Sequence, residues 1–199
     1  MDQNVIKNQE VELRVLLDQI ERNEFVSNIK IIGAEYVSTL KLKDVYYCPK
    51  SVQKFEEVEM DEVGSFSLRL RQKMVNNTEK TELNIKMITT HGDHHAWEEH
   101  ESEVRSFDEI DCIIKILGYK AFFELVKTRV TYKFERIEIA LEDIEDFGAA
   151  LELEIMSDKE GIDAAKQELK NFLKSINVSP EKIVPKSVTN ILMKQKAKF

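Results

Sequence analysis

Glu10 and Glu12 stand two residues apart, as do Glu152 and Glu154. In an extended chain that spacing puts both members of a pair on one face. Arg14 follows Glu12 at the same interval, and Arg69 with Arg71 and Lys127 with Arg129 repeat it in positive charge. Carboxylates bind a hard divalent cation such as Mg2+ through oxygen, while clustered Arg and Lys bind phosphate oxygens, Arg bidentately. One space lined by both sets would suit a metal-bound polyphosphate.

These residues sit in stretches of period-2 alternation, the mark of strands with two unlike faces. Eight such stretches are predicted: residues 9–16, 36–47, 64–74, 80–88, 97–105, 124–134, 136–142 and 149–156. Val11, Leu13 and Val15 back Glu10, Glu12 and Arg14; Phe66, Leu68 and Leu70 back Arg69, Arg71 and Lys73. Val126, Val130, Tyr132 and Phe134 back Lys127, Arg129 and Lys133, and Leu151, Leu153 and Ile155 back Glu152 and Glu154. Helices are expected over Asp18 to Ile32, stopped by Gly33, and after Ser106, whose spacing to Glu109 is that of a capping box, with Gly118 closing. Ser157 and Glu160 repeat the device before Ala164, Leu169, Phe172 and Leu173, and a short helix is predicted over Lys186 to Lys194.

A single charged strand face is usually a solvated one. If all eight faced water, blocks of like charge would adjoin across strands and repel. Closing the sheet into a barrel with the charges inward is the alternative, with helices covering the apolar outside and ligands balancing the buried charge. Alternation alone leaves both arrangements open.

The 199 residues, 42% hydrophobic, suffice for a proper core and exclude disorder as the main state. They are read as one domain over 1–199, a barrel core of 1–156 with a C-terminal helical extension of 157–199. The formal charge of -8 argues against nucleic-acid and membrane partners unless basic residues gather locally. No apolar run approaches a membrane span, and the polar start Met1-Asp2-Gln3-Asn4 lacks the apolar core of a signal peptide, so a cytoplasmic protein is expected. Cys48 and Cys112 fit neither a CxxC site nor a disulfide framework.

Taken in order, the motifs resemble the CYTH superfamily, which holds class IV adenylyl cyclases, thiamine triphosphatases and inorganic triphosphatases. Glu10-Val11-Glu12-Leu13-Arg14 is similar to its ExExK opening, Asp44-Val45-Tyr46-Tyr47 to D-x-Y-Y/F, and Leu68-Arg69-Leu70-Arg71 to LRxR. Leu83 to Lys86 resembles the strand ending in a phosphate-binding Lys, Glu99 to Val104 the ExExEV strand, and Lys127-Thr128-Arg129 the KxR strand. Leu141-Glu142-Asp143-Ile144 is similar to LDxV, Gly148 to the family's Gly, and Glu152-Leu153-Glu154 to the closing EIE.

The resemblance implies an α+β fold: an eight-stranded antiparallel closed barrel, or tunnel, with helices packed outside. It implies that Glu10, Glu12, Glu142, Glu152 and Glu154 serve Mg2+ or Mn2+. Arg14, Arg69, Arg71, Lys86, Lys127 and Arg129 would hold the triphosphate, with Glu10, Glu12, Arg14, Lys127 and Arg129 the catalytic set. The activity implied is cyclase-like, ATP to cyclic AMP and pyrophosphate; the alternatives are a triphosphatase releasing phosphate and a module that binds a nucleotide or polyphosphate without turnover. A homodimer is compatible with the resemblance. Three positions depart from the pattern: Arg14 stands for Lys, Glu142 for Asp, and Val188 for a C-terminal Tyr. Asp143, next to Glu142, would point to the opposite face.

His91, His94 and His95 are read as a solvated hairpin loop around Gly92, and His100 as facing outward, rather than as a transition-metal site. Trp97 is read as a partly buried anchor at a strand end. Cys112 is expected in the core and Cys48 in a loop before Pro49.

Overall fold

The computed structural model describes residues 9–75 and 78–199; the segment Met1-Asp2-Gln3-Asn4 lies outside them. Eight strands appear where alternation places them: β1 (Gln9–Leu17), β2 (Glu35–Pro49), β3 (Phe66–Val75), β4 (Thr78–Ile88), β5 (Ala96–Val104), β6 (Tyr119–Phe134), β7 (Ile137–Ile144) and β8 (Gly148–Ser157). They close into an antiparallel barrel in the order β1-β5-β4-β3-β2-β6-β7-β8. β2 and β6 are longer than expected and pair along almost their whole length, with register shifts at Tyr36/Ser38 and Tyr46/Tyr47. Such bulges let a long strand curve around a barrel.

Four helices accompany the strands: α1 (Gln19–Ile31), α2 (Phe107–Ile116), α3 (Ile162–Ser175) and α4 (Val188–Lys196). The Asp18 carboxylate caps α1 and Glu21 returns the bond to its backbone, while Gly33, at φ +82°, takes the left-handed turn that ends the helix. Ser106 caps α2 through the Glu109 amide. The capping box expected of Ser157 and Glu160 is absent: Ser157 is the last residue of β8, and Gly161 is the N-cap of α3 without a side-chain bond. A strand end cannot also serve as a helix cap four residues on, so the intervening turn takes over, with the Asp158 carboxylate accepting from the Gly161 amide.

Alternation divides the apolar residues between two sides of the wall. On the outside, α1 and α3 cover Val11, Leu13, Val15, Ile139, Leu141, Leu151, Leu153 and Ile155, and α2 sits over Val45, Tyr47, Leu68 and Leu70 through Ile114. A third cluster departs from the expected all-outer arrangement. Phe123 and Leu125 share the inward face of Lys127 and Arg129, Tyr46 shares that of Asp44, and Ile144 that of Glu142. They pack with Val188, Leu192 and Met193 of α4. The C-terminal helix therefore docks on the apolar end of the barrel interior rather than on its outer surface. Cys112, expected in the core, is exposed, because α2 turns Ile110 and Ile114 inward. Cys48, expected in a loop, lies within β2, buried in the interior cluster.

Candidate functional site

Register fixes which side chains share the interior. Across β1, β8 and β7, Glu12 stands opposite Glu154 and Glu154 opposite Glu138, while Arg14 stands opposite Glu152. Across β2, β3 and β4, Asp44 faces Arg71 and Arg71 faces Glu82, and the next inward row is Tyr46, Arg69 and Asn84. Lys86 faces Glu99, and Arg129 faces Glu142. All eleven residues singled out from the sequence fall on this inward side. The charged faces point in, which settles the choice that alternation leaves open.

Glu10, Glu12 and Glu152 each bring a carboxylate oxygen to within 4.8 Å of the other two. Lys86 donates to Glu10 at 2.5 Å and lies 3.5 Å from Glu12 and 3.3 Å from Glu99. Arg14 pairs with Glu12, stands 3.8 Å from Glu152, and donates to the His94 carbonyl at 3.3 Å. Both Glu12 oxygens are buried without a hydrogen bond from the described residues, although Arg14 and Lys86 lie beside them as ion pairs. Buried carboxylates short of hydrogen bonds are costly, and three converging ones repel. Oxygen donors in such a set match what Mg2+ or Mn2+ takes, so these residues fit a divalent cation. Glu142 and Glu154 line the same cavity but stand outside this group of three.

Facing the carboxylates are the cations. Arg71 is clasped side-on by Asp44, at 2.6 Å from Nε and 2.8 Å from Nη2. Arg69 lies 3.7 Å from Asp44 and 3.8 Å from Glu99, and its Nε is buried with no acceptor among the described residues. Lys127 donates to Glu142 at 2.6 Å, and Arg129 bridges Glu142 at 2.7 Å and Glu152 at 3.1 Å. Asp143 points to the outer side, as expected, and holds Arg22 of α1 at 2.6 Å.

The field of this interior shifts its groups in opposite directions. Burial raises the Glu10 carboxyl, but Lys86 and hydrogen bonding outweigh it and bring it to about 2. Glu152 goes well below the carboxylate range against its own burial, under Arg129, Arg14 and Lys86. Glu154 goes the other way: burial and the negative charges of Glu10 and Glu152 lift it to about 8, despite Lys86. Burial draws the Lys127 ammonium down to about 8, with Arg129 and Arg71 pressing the same way and Glu142 opposing. Divergent shifts in one cavity are what acid-base and anion-handling sites show.

The cavity holds about 670 Å3. Beside the charged groups, Tyr46, Phe66, Trp97, Met156 and Val188 give it an apolar wall, and Ser187, Thr189 and Asn190 at the start of α4 add polar groups. Val188 thus stands at the cavity, buried, where the resembled pattern has Tyr. Sequence reading did not single out Asp44, Glu99, Asn84 or Glu138 as site residues; the D-x-Y-Y and ExExEV motifs contain the first two, but nothing in their spacing says which cation each meets. The hairpin loop differs from the solvated one expected: His94 is 5% exposed, bonds Asp61 at 2.8 Å and packs edge-on against Trp97. Trp97 is fully rather than partly buried, and among the described residues its indole N–H has no partner. His100 faces outward, held by Glu98 at 2.9 Å.

A CYTH-domain family profile matches residues 8–188. A Methanocaldococcus jannaschii protein provisionally named adenylate cyclase is 28% identical over 183 residues, covering 89% of this chain and 95% of its own. Among solved structures, a Pyrococcus horikoshii protein superposes with a TM-score of 0.78 at 24% identity, over 94% of this chain and 99% of that one. A Hippeastrum protein, described as a provisional adenylyl cyclase with a dominant triphosphatase activity, superposes with a TM-score of 0.62 at 14% identity, over 96% and 97% of the two chains. At these identities the two structures speak to the fold alone. No helix among the described residues is long and apolar enough to cross a membrane.

Proposed function

The chain belongs to the CYTH-domain family, and on that premise we propose that it is a divalent-metal-dependent enzyme acting on a nucleoside triphosphate, converting ATP to cyclic AMP and pyrophosphate. The observation that carries the reading is the convergence of the Glu10, Glu12 and Glu152 carboxylates, with Glu10 and Glu152 lining one cavity together with Arg69, Arg71, Lys86, Lys127 and Arg129 beside an apolar wall. A triphosphate with about four negative charges needs such a cationic lining to leave water, and the wall gives a base and ribose somewhere to lie. Arg69 and Arg71 offer forked donors to phosphate oxygens, and the unpartnered Arg69 Nε is a donor awaiting an acceptor. Lys127 and Arg129 add charge from β6, on the other side of β2. Glu10, Glu12 and Glu152 would hold Mg2+ or Mn2+, which when bound supplies charge neutralisation and acidifies a coordinated hydroxyl. In the reaction the ribose 3′-oxygen bonds the α-phosphorus, the bond to the bridging oxygen breaks, and pyrophosphate and a proton leave. Fixed cations aimed at the phosphates stabilise the moving charge without reorganising.

Hydrolysis of a triphosphate by water is the second reading, since the same cationic lining would serve it; it is the activity ascribed to the Hippeastrum protein, which shares the fold. Incubation with Mg2+ or Mn2+ and, separately, ATP, tripolyphosphate and thiamine triphosphate distinguishes the two. Cyclic AMP with pyrophosphate from ATP is the expected result. Orthophosphate from any of the three would replace the cyclase reading with the hydrolase, and binding without turnover would leave a carrier.

A further inference from the structure

Among the described residues, Asp44 is the one interior carboxylate that meets two phosphate-facing guanidiniums without reaching the cavity itself. Arg69 and Arg71 line the cavity; Asp44, fully buried, stands behind them. Its neighbours in register are Arg71 on β3 and Leu125 on β6, and the Lys127 ammonium, two positions along β6 on the same inward face, adds a weaker pull on its charge. The clasp on Arg71 uses Nε and Nη2 at 2.6 and 2.8 Å, leaving Nη1 and the far side of Nη2 for a ligand, and the second Asp44 oxygen is 3.7 Å from Arg69 Nη1. Both guanidiniums are nearly buried, at 7% and 8% exposure. Two buried like charges on one face repel, and a single carboxylate between them offsets that repulsion while fixing the plane of one fork.

We propose that Asp44 is a positioning residue, resting on the triphosphate reading above, that aims Arg71 and Arg69 at the phosphate chain and cancels part of their charge so that a polyanion is held without being trapped. The two consequences have opposite signs. Alignment raises turnover, because a misaimed donor loses transition-state contact. Charge cancellation lowers affinity, because one negative charge lies behind the very cations that attract the ligand.

Asp44→Asn keeps the shape and removes the charge. Isothermal titration with tripolyphosphate in EDTA is expected to show it binding roughly threefold or more tighter than the wild type, while turnover of the wild-type substrate falls roughly tenfold or more at saturation. A merely structural defect would lower the active fraction and would not tighten binding. Weaker or unchanged affinity, or unimpaired turnover, overturns the proposal. Asp44→Glu keeps the charge and displaces the clasp by one methylene, so it serves if the Asn variant does not fold: turnover should fall with affinity unchanged, and full turnover overturns the proposal. Absence of turnover in the wild type would count against the triphosphate reading instead, and the binding comparison would still decide the role of Asp44.

Discussion

The Lys127 ammonium donates to Glu142 Oε1 at 2.6 Å, and both side chains are buried inside the barrel. Burial and the flanking Arg129 and Arg71 bring Lys127 down to about 8, and Glu142, with Asp44 adding less, keeps it from falling further. Below that value the lysine is charged and contributes to holding a triphosphate; above it the charge is gone. Turnover is therefore expected to decline as pH rises through about 8. Glu142→Gln removes the opposing anion, so the alkaline limb should move to lower pH, by roughly one unit. The pH profile of kcat/KM checks this, and coincident limbs would show that Lys127 is not the titrating group.

Glu12 tests the metal assignment. Mg2+ binding to the native state should raise Tm of the wild type. Glu12→Gln, which removes the central carboxylate of the three, should weaken that binding by roughly 10- to 100-fold. Its turnover at ordinary Mg2+ should fall with it, while Tm in EDTA stays close to the wild type. A full Mg2+ response in the variant would remove Glu12 from the site.

Leu192 tests the docking of α4 inside the barrel. It is 1% exposed among Phe123, Leu125 and Ile144. Leu192→Ala should cost about 2 to 5 kcal/mol, as deletion of a buried isobutyl group does. A loss below about 0.5 kcal/mol by urea unfolding is what a surface helix would give.

Arg14 spans from Glu12 to the His94 carbonyl, a reach that a lysine ammonium with one point of charge does not duplicate. Arg14→Lys should keep turnover within about tenfold, because the charge beside Glu12 and Glu152 survives. The loop at His94 should loosen, and faster amide exchange there is the readout.

The strands were legible because period-2 alternation is local: a residue and its second neighbour decide it. Most of the cations and carboxylates were legible for the same reason, as i,i+2 pairs; Lys86 and Glu142 stand in no such pair and came only with the family resemblance. What joins them was not. Lys86 reaches Glu10 across 76 positions of sequence, and that contact exists only because β4 and β5 come round to β1. Asp44 sits alone between Leu42 and Tyr46 on its face, with no second charge to announce it. The stripe Val188, Leu192 and Met193 says that α4 has something to cover, but the same stripe would serve an outer wall or an inner one. In α2, Ile110, Ile113, Ile114, Ile116 and Leu117 surround much of the helix, so composition could not tell which side would be buried, and Cys112 fell on the wrong one.

β1 pairs with β8 over nine positions but with β5 over two, Glu10 with Trp97 and Val11 with Ala96, supplemented by a bond from the Glu12 amide to the His95 carbonyl. Glu10, Glu12 and Glu152 all lie on the β1–β8 side of that short seam, and Lys86 and Glu99 on the other. Parting the wall along the seam would carry the three carboxylates off together, intact as a group, and leave their ammonium partner behind. The acidic triad and its Arg14 and Arg129 contacts are thus a property of the β1–β8 side of the wall, whereas its pairing with Lys86 belongs to the shut cylinder and lasts only as long as its narrowest stitch.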